Sequence, residues 1–364
     1  MTKAGISAVA LVAAAALTTS AGGAASDPAV AVVGSGPTLE QMIGQKLVVS
    51  MDGTSPSASL LRRARRGKIA GVLVHGYNFS SAAQLGAITS RLQAAAAHGG
   101  QPRLVIAVDQ EGGPVKTVSW IPPTLSPWRM GELGSSLKAL RQGRRTGAAL
   151  RELGVNTDFA PVADVPASTA SFIYQQGRAW SFSARKTARL ANAFAVGLGA
   201  RHALATMKHF PGLGFATRNT DSYLVHISAT KSELAPGLKP YRRAVRNHVP
   251  LIMLSNAVYD AYDRRHGAGW SRPIGTTLLR GELGFQGVTI TDSLDAAART
   301  RGISTARLAI RTAKAGTDLI LLTGSEASSR GVYRSLLSAA SDGRVSQSRL
   351  LASYKRIAAL KSRL

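Results

Sequence analysis

The apolar residues of this chain fall into eight short runs, each followed by a longer stretch with mixed character. The runs are Lys46–Ser50, Ile69–His75, Leu104–Asp109, Val155–Val162, Leu204–Phe210, Leu251–Asn256, Gly287–Asp292 and Asp318–Leu322. Their apolar character is continuous rather than alternating, which is the pattern of strands buried on both faces, as in parallel sheets. Amphipathic stretches at Ala82–His98, Ser136–Glu152, Ala184–His202, Leu238–Asn247 and Ser304–Ala315 separate them at helical spacing. Strand followed by helix, eight times over, predicts an α/β chain folded as a (β/α)8 TIM-type barrel. A doubly wound open sheet with an extra segment is the alternative, but no G-x-G-x-x-G follows the first run. After Leu322, the residues Leu336, Leu337, Leu350, Leu351, Ile357 and Leu360 read as core positions of the last helices. No repeat or second domain is evident, so residues 38–364 are expected to form one barrel domain.

Composition closes off several chemistries. The 364 residues include no cysteine, which excludes a disulfide scaffold, a thiolate metal site and a cysteine nucleophile. There is no P-loop, no H-E-x-x-H and no G-x-S-x-G elbow. At the N-terminus, Lys3 precedes an apolar stretch from Ala4 to Leu17 and then small residues through Ala25. That order reads as a secretory signal peptide over residues 1–25, too short and too rich in Ala and Gly for a transmembrane anchor. Residues 26–37, with their Gly, Pro and Ser, read as a linker. A soluble, monomeric protein, secreted or associated with the cell envelope, is expected.

Lys and Arg number 45 against 19 Asp and Glu, a formal net charge of +26. The basic residues cluster as Arg62, Arg63, Arg65, Arg66 and Lys68, then Arg141, Arg144 and Arg145, then Arg242, Arg243 and Arg246. Their spacing of three and four places them on exposed helix faces. No nucleic-acid module and no interleaved aromatics accompany them, so nucleic acid is not the expected partner. Anionic cell-wall polymers are an expected partner; a merely solvated surface is the other reading.

A barrel carries its chemistry at the C-terminal ends of its strands. The third run ends in Asp109-Gln110-Glu111-Gly112-Gly113 and the fourth leads to Asp158 and Asp164. The fifth ends in Lys208-His209-Phe210-Pro211-Gly212, the sixth in Ser255-Asn256 and the seventh in Thr291-Asp292-Ser293. No comparable density of charge is expected on the opposite rim.

With Val108-Asp109-Gln110-Glu111-Gly112-Gly113, Lys208-His209-Phe210-Pro211-Gly212 and Thr291-Asp292-Ser293-Leu294 in this order, the chain resembles glycoside hydrolase family 3. The resemblance is to its single-domain bacterial β-N-acetylhexosaminidase branch. Phe159-Ala160-Pro161-Val162-Ala163-Asp164 and Gly177-Arg178-Ala179-Trp180 support it. The resemblance implies a retaining β-glycosidase with a carbohydrate substrate and neither metal nor organic cofactor. It implies Asp292 as the nucleophile that forms a covalent glycosyl-enzyme. It implies Asp109, Arg178, Lys208 and His209 as hydrogen-bonding partners of sugar hydroxyls, and Asp164 as a support for them.

The chain departs from the branch at the acid/base. The family's Asp-x-His dyad reads Asp221-Ser222-Tyr223, and a second loop histidine is replaced by Leu213. An ordinary tyrosine, with a pKa of about 10, is too weak an acid for that work near neutrality. Three readings stay open: His226 carries the proton, Asp221 carries it, or the protein binds sugars with little turnover. Pro114, Lys116 and Thr117 stand where the family has arginines, so a glucoside remains an alternative to the N-acetylhexosaminide. Mass spectrometry of the exported protein is expected to find its first residue near position 26; a retained Met1 would refute the signal-peptide reading.

Overall fold

The computed structural model describes residues 36–364; the signal-peptide segment and all but the end of the linker lie outside them. Eight parallel strands form the barrel: β1 (Leu47–Ser50), β2 (Gly71–Leu73), β3 (Val105–Val108), β4 (Thr157–Asp158), β5 (Leu204–Phe210), β6 (Leu251–Leu254), β7 (Val288–Thr291) and β8 (Ile320–Leu322). They hydrogen-bond in the order β7-β6-β5-β4-β3-β2-β1-β8. A parallel bridge between Ile290 and Leu319 joins the two ends. There the Thr291 amide donates to the Leu319 carbonyl at 3.1 Å and the Leu319 amide to Thr289 at 2.8 Å. The ring thereby leaves no free sheet edge.

Helices α1 (Ala58–Arg65), α2 (Ala82–His98), α3 (Ser136–Glu152), α4 (Ala184–Gly199), α5 (Lys239–Arg246), α6 (Thr305–Ala315), α7 (Glu326–Ser341) and α8 (Gln347–Lys361) lie along the chain between and after the strands. A π-helical segment, Pro273–Glu282, takes the helix position between β6 and β7. Serines start most of these helices. The hydroxyls of Ser57, Ser81, Ser135, Ser183, Ser304 and Ser325 each accept a backbone N–H three residues on, satisfying donors that the first helical turn leaves free.

The continuous apolar runs have a direct cause. Val48, Val105, Leu251, Met253, Val288, Ile290 and Leu321 pack into the barrel interior, while Leu47, Val49, Ile106, Ile252, Leu254, Ile320 and Leu322 pack outward against helices. Successive side chains on a strand point to opposite faces, so both faces must be apolar. The fourth run is the exception: only Thr157–Asp158 is strand, and Val162 returns as a single bridge to Lys208. Pro161, with no amide hydrogen, interrupts the ladder between them.

Three sequence expectations need correction. Among the basic residues, Arg63 is buried, its guanidinium donating to Ser329 Oγ at 2.8 Å, so that cluster is not wholly exposed. His202 lies past the end of α4 in a left-handed conformation, φ 56°, rather than within the helix. The opposite rim also carries more charge than expected. Buried Lys46 donates to the carbonyls of Thr317 and Asp318 and to Ser353 Oγ at 2.7–2.9 Å. Asp318 in turn takes Arg280 and Arg356 at 2.5 and 2.8 Å. Burial pulls Lys46 down to about 8 against the opposing charge of Asp318. These groups close the bottom of the barrel where it meets α8.

Helices α3 and α4 approach closely because glycines face each other. A Cβ on Gly143 would lie 2.1 Å from the Phe194 carbonyl, and one on Gly197 would lie 2.3 Å from that of Leu140. Gly86 in α2 has open space at the same position. Gly143→Ala is therefore expected to lose about 1–3 kcal/mol through overpacking, whereas Gly86→Ala gains roughly 0.5–1 kcal/mol from helix propensity. Denaturant unfolding of the two variants would check the contrast.

Candidate active site

The side chains at the strand ends continue the inward register of each strand. Positions 105 and 107 of β3 lead to Asp109, 288 and 290 of β7 lead to Asp292, and 71 and 73 of β2 lead to His75. Positions 319 and 321 lead in the same way to Thr323. Together with Arg178, Lys208, His209 and Asp221 they line one cleft of about 260 Å³ at the C-terminal end of the barrel. Lys208 and His209 are consecutive, yet both face it. The pairing of β5 with β6 slips by one residue between Lys208 and Phe210, and this bulge re-aims the second side chain.

An ion network joins two loops and the end of β5 across the cleft. Lys208 Nζ lies 2.6 Å from Asp109 Oδ1 and 2.7 Å from Glu111 Oε1. Arg178 grips Glu111 with two hydrogen bonds, Nε to Oε2 at 2.8 Å and Nη2 to Oε1 at 2.7 Å. Burial pushes the Glu111 carboxyl up, but Arg178 and Lys208 overcome it and hold it at about 2. Burial likewise opposes the charge on Lys208, and Asp109 and Glu111 reverse that, so the ammonium is retained well above neutrality. The Glu111 side chain has no exposed surface, whereas that of Asp109 is 34 % exposed and open to a ligand. Asp109 therefore presents the accessible carboxylate, with the buried Lys208 and Glu111 behind it.

His209 is fixed from behind by Asp164. Asp164 Oδ2 lies 2.7 Å from His209 Nδ1, and its Oδ1 accepts the backbone amides of His209 and Leu213 at 3.1 and 2.8 Å. The Nδ1 contact leaves Nε2 as the ring nitrogen with no protein partner. His75 is tied through Nε2 to Ser50 Oγ at 2.8 Å, and burial lowers its pKa against the pull of Asp109.

Asp292 follows β7 directly, its amide donating to the Leu254 carbonyl at 2.9 Å, while its Oδ1 accepts the Ser293 amide at 2.8 Å. Asp221 reaches the same cleft from the long loop after β5. Its amide donates to Asn219 Oδ1 at 2.9 Å, and its carbonyl accepts Arg299 Nη2 at 3.2 Å. Its Oδ1 is buried without a hydrogen-bond partner. Burial, and then the charge of Asp292, raise the Asp221 carboxyl to about 6, against the pull of His209 and Arg178.

The structure thus brings together Asp109, Arg178, Lys208, His209, Asp221 and Asp292. His226 does not join them: it is exposed, off the cleft lining, with its Nδ1 3.1 Å from Asp260 Oδ1. Tyr223 is exposed as well, its ring covered by the Arg218 guanidinium at 3.4 Å, and Leu213 is fully buried beneath the loop. Sequence reasoning gave no role to Glu111, His75 or Thr323. For the last two the inward register was the available signal. Among the described residues no group of three or more His, Asp or Glu could hold a metal ion.

Known proteins with this framework settle the lineage. Residues 38–360 match the glycosyl hydrolase family 3 N-terminal domain. The chain belongs to that family and is a glycoside hydrolase. An uncharacterized secreted glycosyl hydrolase of Arthroderma benhamiae is 34% identical over 346 residues, covering 93% of this chain and 96% of the relative. The β-N-acetylhexosaminidase of Beutenbergia cavernae superposes with a TM-score of 0.82 at 30% identity, covering 90% of this chain and 99% of that one. The family 3 β-N-acetylglucosaminidase of a Paenibacillus species gives 0.85 at 28% identity, covering 90% and 62%. These likenesses bear out the expected barrel and the hexosaminidase-like branch. No helix among the described residues is long and apolar enough to cross a membrane.

The raised Asp221 carboxyl has a consequence for stability. In the folded state it binds its proton more tightly than in the unfolded chain, so its stabilising contribution is full below about pH 4 and is lost as pH rises to about 6. Asp221→Asn removes that loss. Its melting temperature is expected to exceed the parent's at pH 7, by the equivalent of about 1–3 kcal/mol, and to match it at pH 4. Calorimetry at the two pH values tests the sign.

Proposed function

We propose that this family 3 chain is an exported, retaining β-glycosidase that removes terminal β-linked N-acetylhexosamine from cell-wall or chitin-type fragments. In this reading residues 1–25 direct export, 26–37 link, and 38–364 form the catalytic barrel. The observation that carries the reading is the pair of carboxyls in one cleft, Asp292 and Asp221, with Asp221 raised to about 6. Retaining hydrolysis uses one carboxyl as nucleophile and a second, kept protonated, as acid. The N-acetylhexosaminide rests on the relatives from Beutenbergia and Paenibacillus, and export on the N-terminal segment and the secreted relative.

In the first step Asp292 Oδ attacks the anomeric carbon, the bond to the leaving oxygen breaks, and protonated Asp221 delivers its proton to that oxygen. In the second, Asp221 takes a proton from water as the water oxygen displaces Asp292 from the same carbon. Asp109 accepts from sugar hydroxyls while Lys208 donates, replacing the water that the sugar loses on entry. Arg178 is occupied by Glu111 on two of its nitrogens and by Gln176 Oε1 on the third, so its part is to shape the cleft. The Nε2 of His209 is free to meet a hydroxyl. A group held near pH 6 by burial beside a second carboxylate is suited to both proton transfers, and it removes the need for a dyad histidine at Tyr223.

A second reading, a sugar-binding protein with slow turnover, draws on the exposure of Tyr223 and its stacking under Arg218. Aryl β-glycosides with leaving groups from activated to poor separate the two. Asp292→Ala is expected to abolish turnover on all of them; full activity in that variant would sink the nucleophile assignment. Asp221→Asn is expected to lose about 10²–10⁴-fold on poor leaving groups and little on the bond-breaking step of activated ones. The parent's kcat/KM should fall as pH rises through about 6, a limb that Asp221→Asn lacks. His226→Ala should behave as the parent. Binding without turnover throughout the panel would establish the second reading.

A further inference from the structure

On the flank of the barrel, outside the cleft, α4 and α5 enclose a groove of about 600 Å³. Its cationic lining comprises Arg185, Lys186 and Arg189 from α4 and Lys239, Arg242, Arg243 and Arg246 from α5. No acidic side chain lines it, and none of these seven groups pairs with a carboxylate among the described residues. Arg189 is the one with protein hydrogen bonds, donating to the Gly134 carbonyl and Ser136 Oγ at 2.8 Å. Positions 239, 242, 243 and 246 fall on one face of α5, and 185, 186 and 189 on the facing side of α4. Like charges this close repel one another and cost stability unless an anion lies between them.

We propose that this groove holds a linear polyanion whose phosphate groups repeat along a flexible, non-aromatic backbone, such as a polyol-phosphate chain. Five of the seven cations are arginines, whose planar forks fit phosphate oxygens in pairs. The charges run from position 239 to 246 along α5 opposite positions 185 to 189 of α4, a spread that suits a chain rather than a single ion. Its lining contains no aromatic ring on which a base could stack, which favours such a polymer over nucleic acid. The upper end, at Ser183, Arg185 and Lys239, adjoins the loops of Phe182 and Pro211 next to the catalytic rim. A polymer seated there keeps the cleft close to an envelope surface. This inference goes beyond the glycosidase reading and stands without it.

Titration of the whole mature chain with long-chain inorganic polyphosphate tests it, alongside single-stranded DNA of matched charge. Arg242→Gln/Arg243→Gln/Arg246→Gln alters the groove; Arg62→Gln/Arg65→Gln/Arg66→Gln removes as many charges from α1 and its C-cap. The groove variant is expected to weaken polyphosphate binding about tenfold or more and to flatten its dependence on salt by about two in logarithmic slope, while the α1 variant changes little. Arg185→Gln/Lys186→Gln should weaken it in the same direction from the other wall. All positions changed in the triple variants are exposed, and unchanged melting curves verify folding. Equal losses in both triple variants would overturn the proposal in favour of diffuse charge. Tighter binding of DNA than of polyphosphate would overturn it in favour of nucleic acid, and binding of neither would overturn it outright.

Discussion

Every barrel strand in this protein is covered on both faces, and the alternation of side chains along a strand turns that burial into a rule for the site. Inward positions are apolar in the middle of the ring and become His75, Asp109, Asp292 and Thr323 where the strands run out at the top. The same register therefore builds the core and aims the polar groups. A slip of one residue in a strand would exchange inward for outward positions and destroy both at once. The bulge in β5 is a local exception that adds His209 to the cleft beside Lys208.

Around that frame, the Glu111 carboxylate is the polar centre that holds the rim loops together. It is fully covered, and two cations, Arg178 from a loop and Lys208 from the end of β5, meet on it. Buried ions are costly to desolvate, and they persist where strong, well-aligned hydrogen bonds offset the cost. Removing either partner would leave the other charge stranded, so Arg178 and Lys208 are held in place by the same group. Asp109, on the open side of Lys208, then sits at a set height above the barrel floor. Asp164 plays the corresponding part for His209, with three donors on one carboxylate.

The loop after β5 presents Asp221, and not the residue at position 223, to the cleft. Tyr223 has turned outward onto Arg218, and Leu213 fills the space beneath the loop as a core residue. Asp221 is left facing the cleft with a buried, unpartnered oxygen and a second carboxylate for company. Both features favour its protonated form, which is the form a leaving group needs.

The strand and helix order, the barrel class and the strand-end residues Asp109, Lys208, His209 and Asp292 were legible in the chain because periodicity is local and parallel strands have a distinctive apolar signature. The fourth run, Val155–Val162, reads as one strand, and only the structure shows it cut to Thr157–Asp158 and a single bridge at Val162. What the sequence could not rank was His226 against Asp221. They stand five positions apart, and only packing turns the first toward Asp260 and the second into the cleft. Glu111 was visible within its motif, but its work depends on Arg178 and Lys208, which are 67 and 97 positions away along the chain. The facing basic walls of α4 and α5 likewise join stretches that sequence spacing treats as separate. The sequence alone determined which segments must be buried and which chemistry stands at their ends. Tertiary structure decided which charges meet, because pairing and burial depend on distances that only the closed barrel sets.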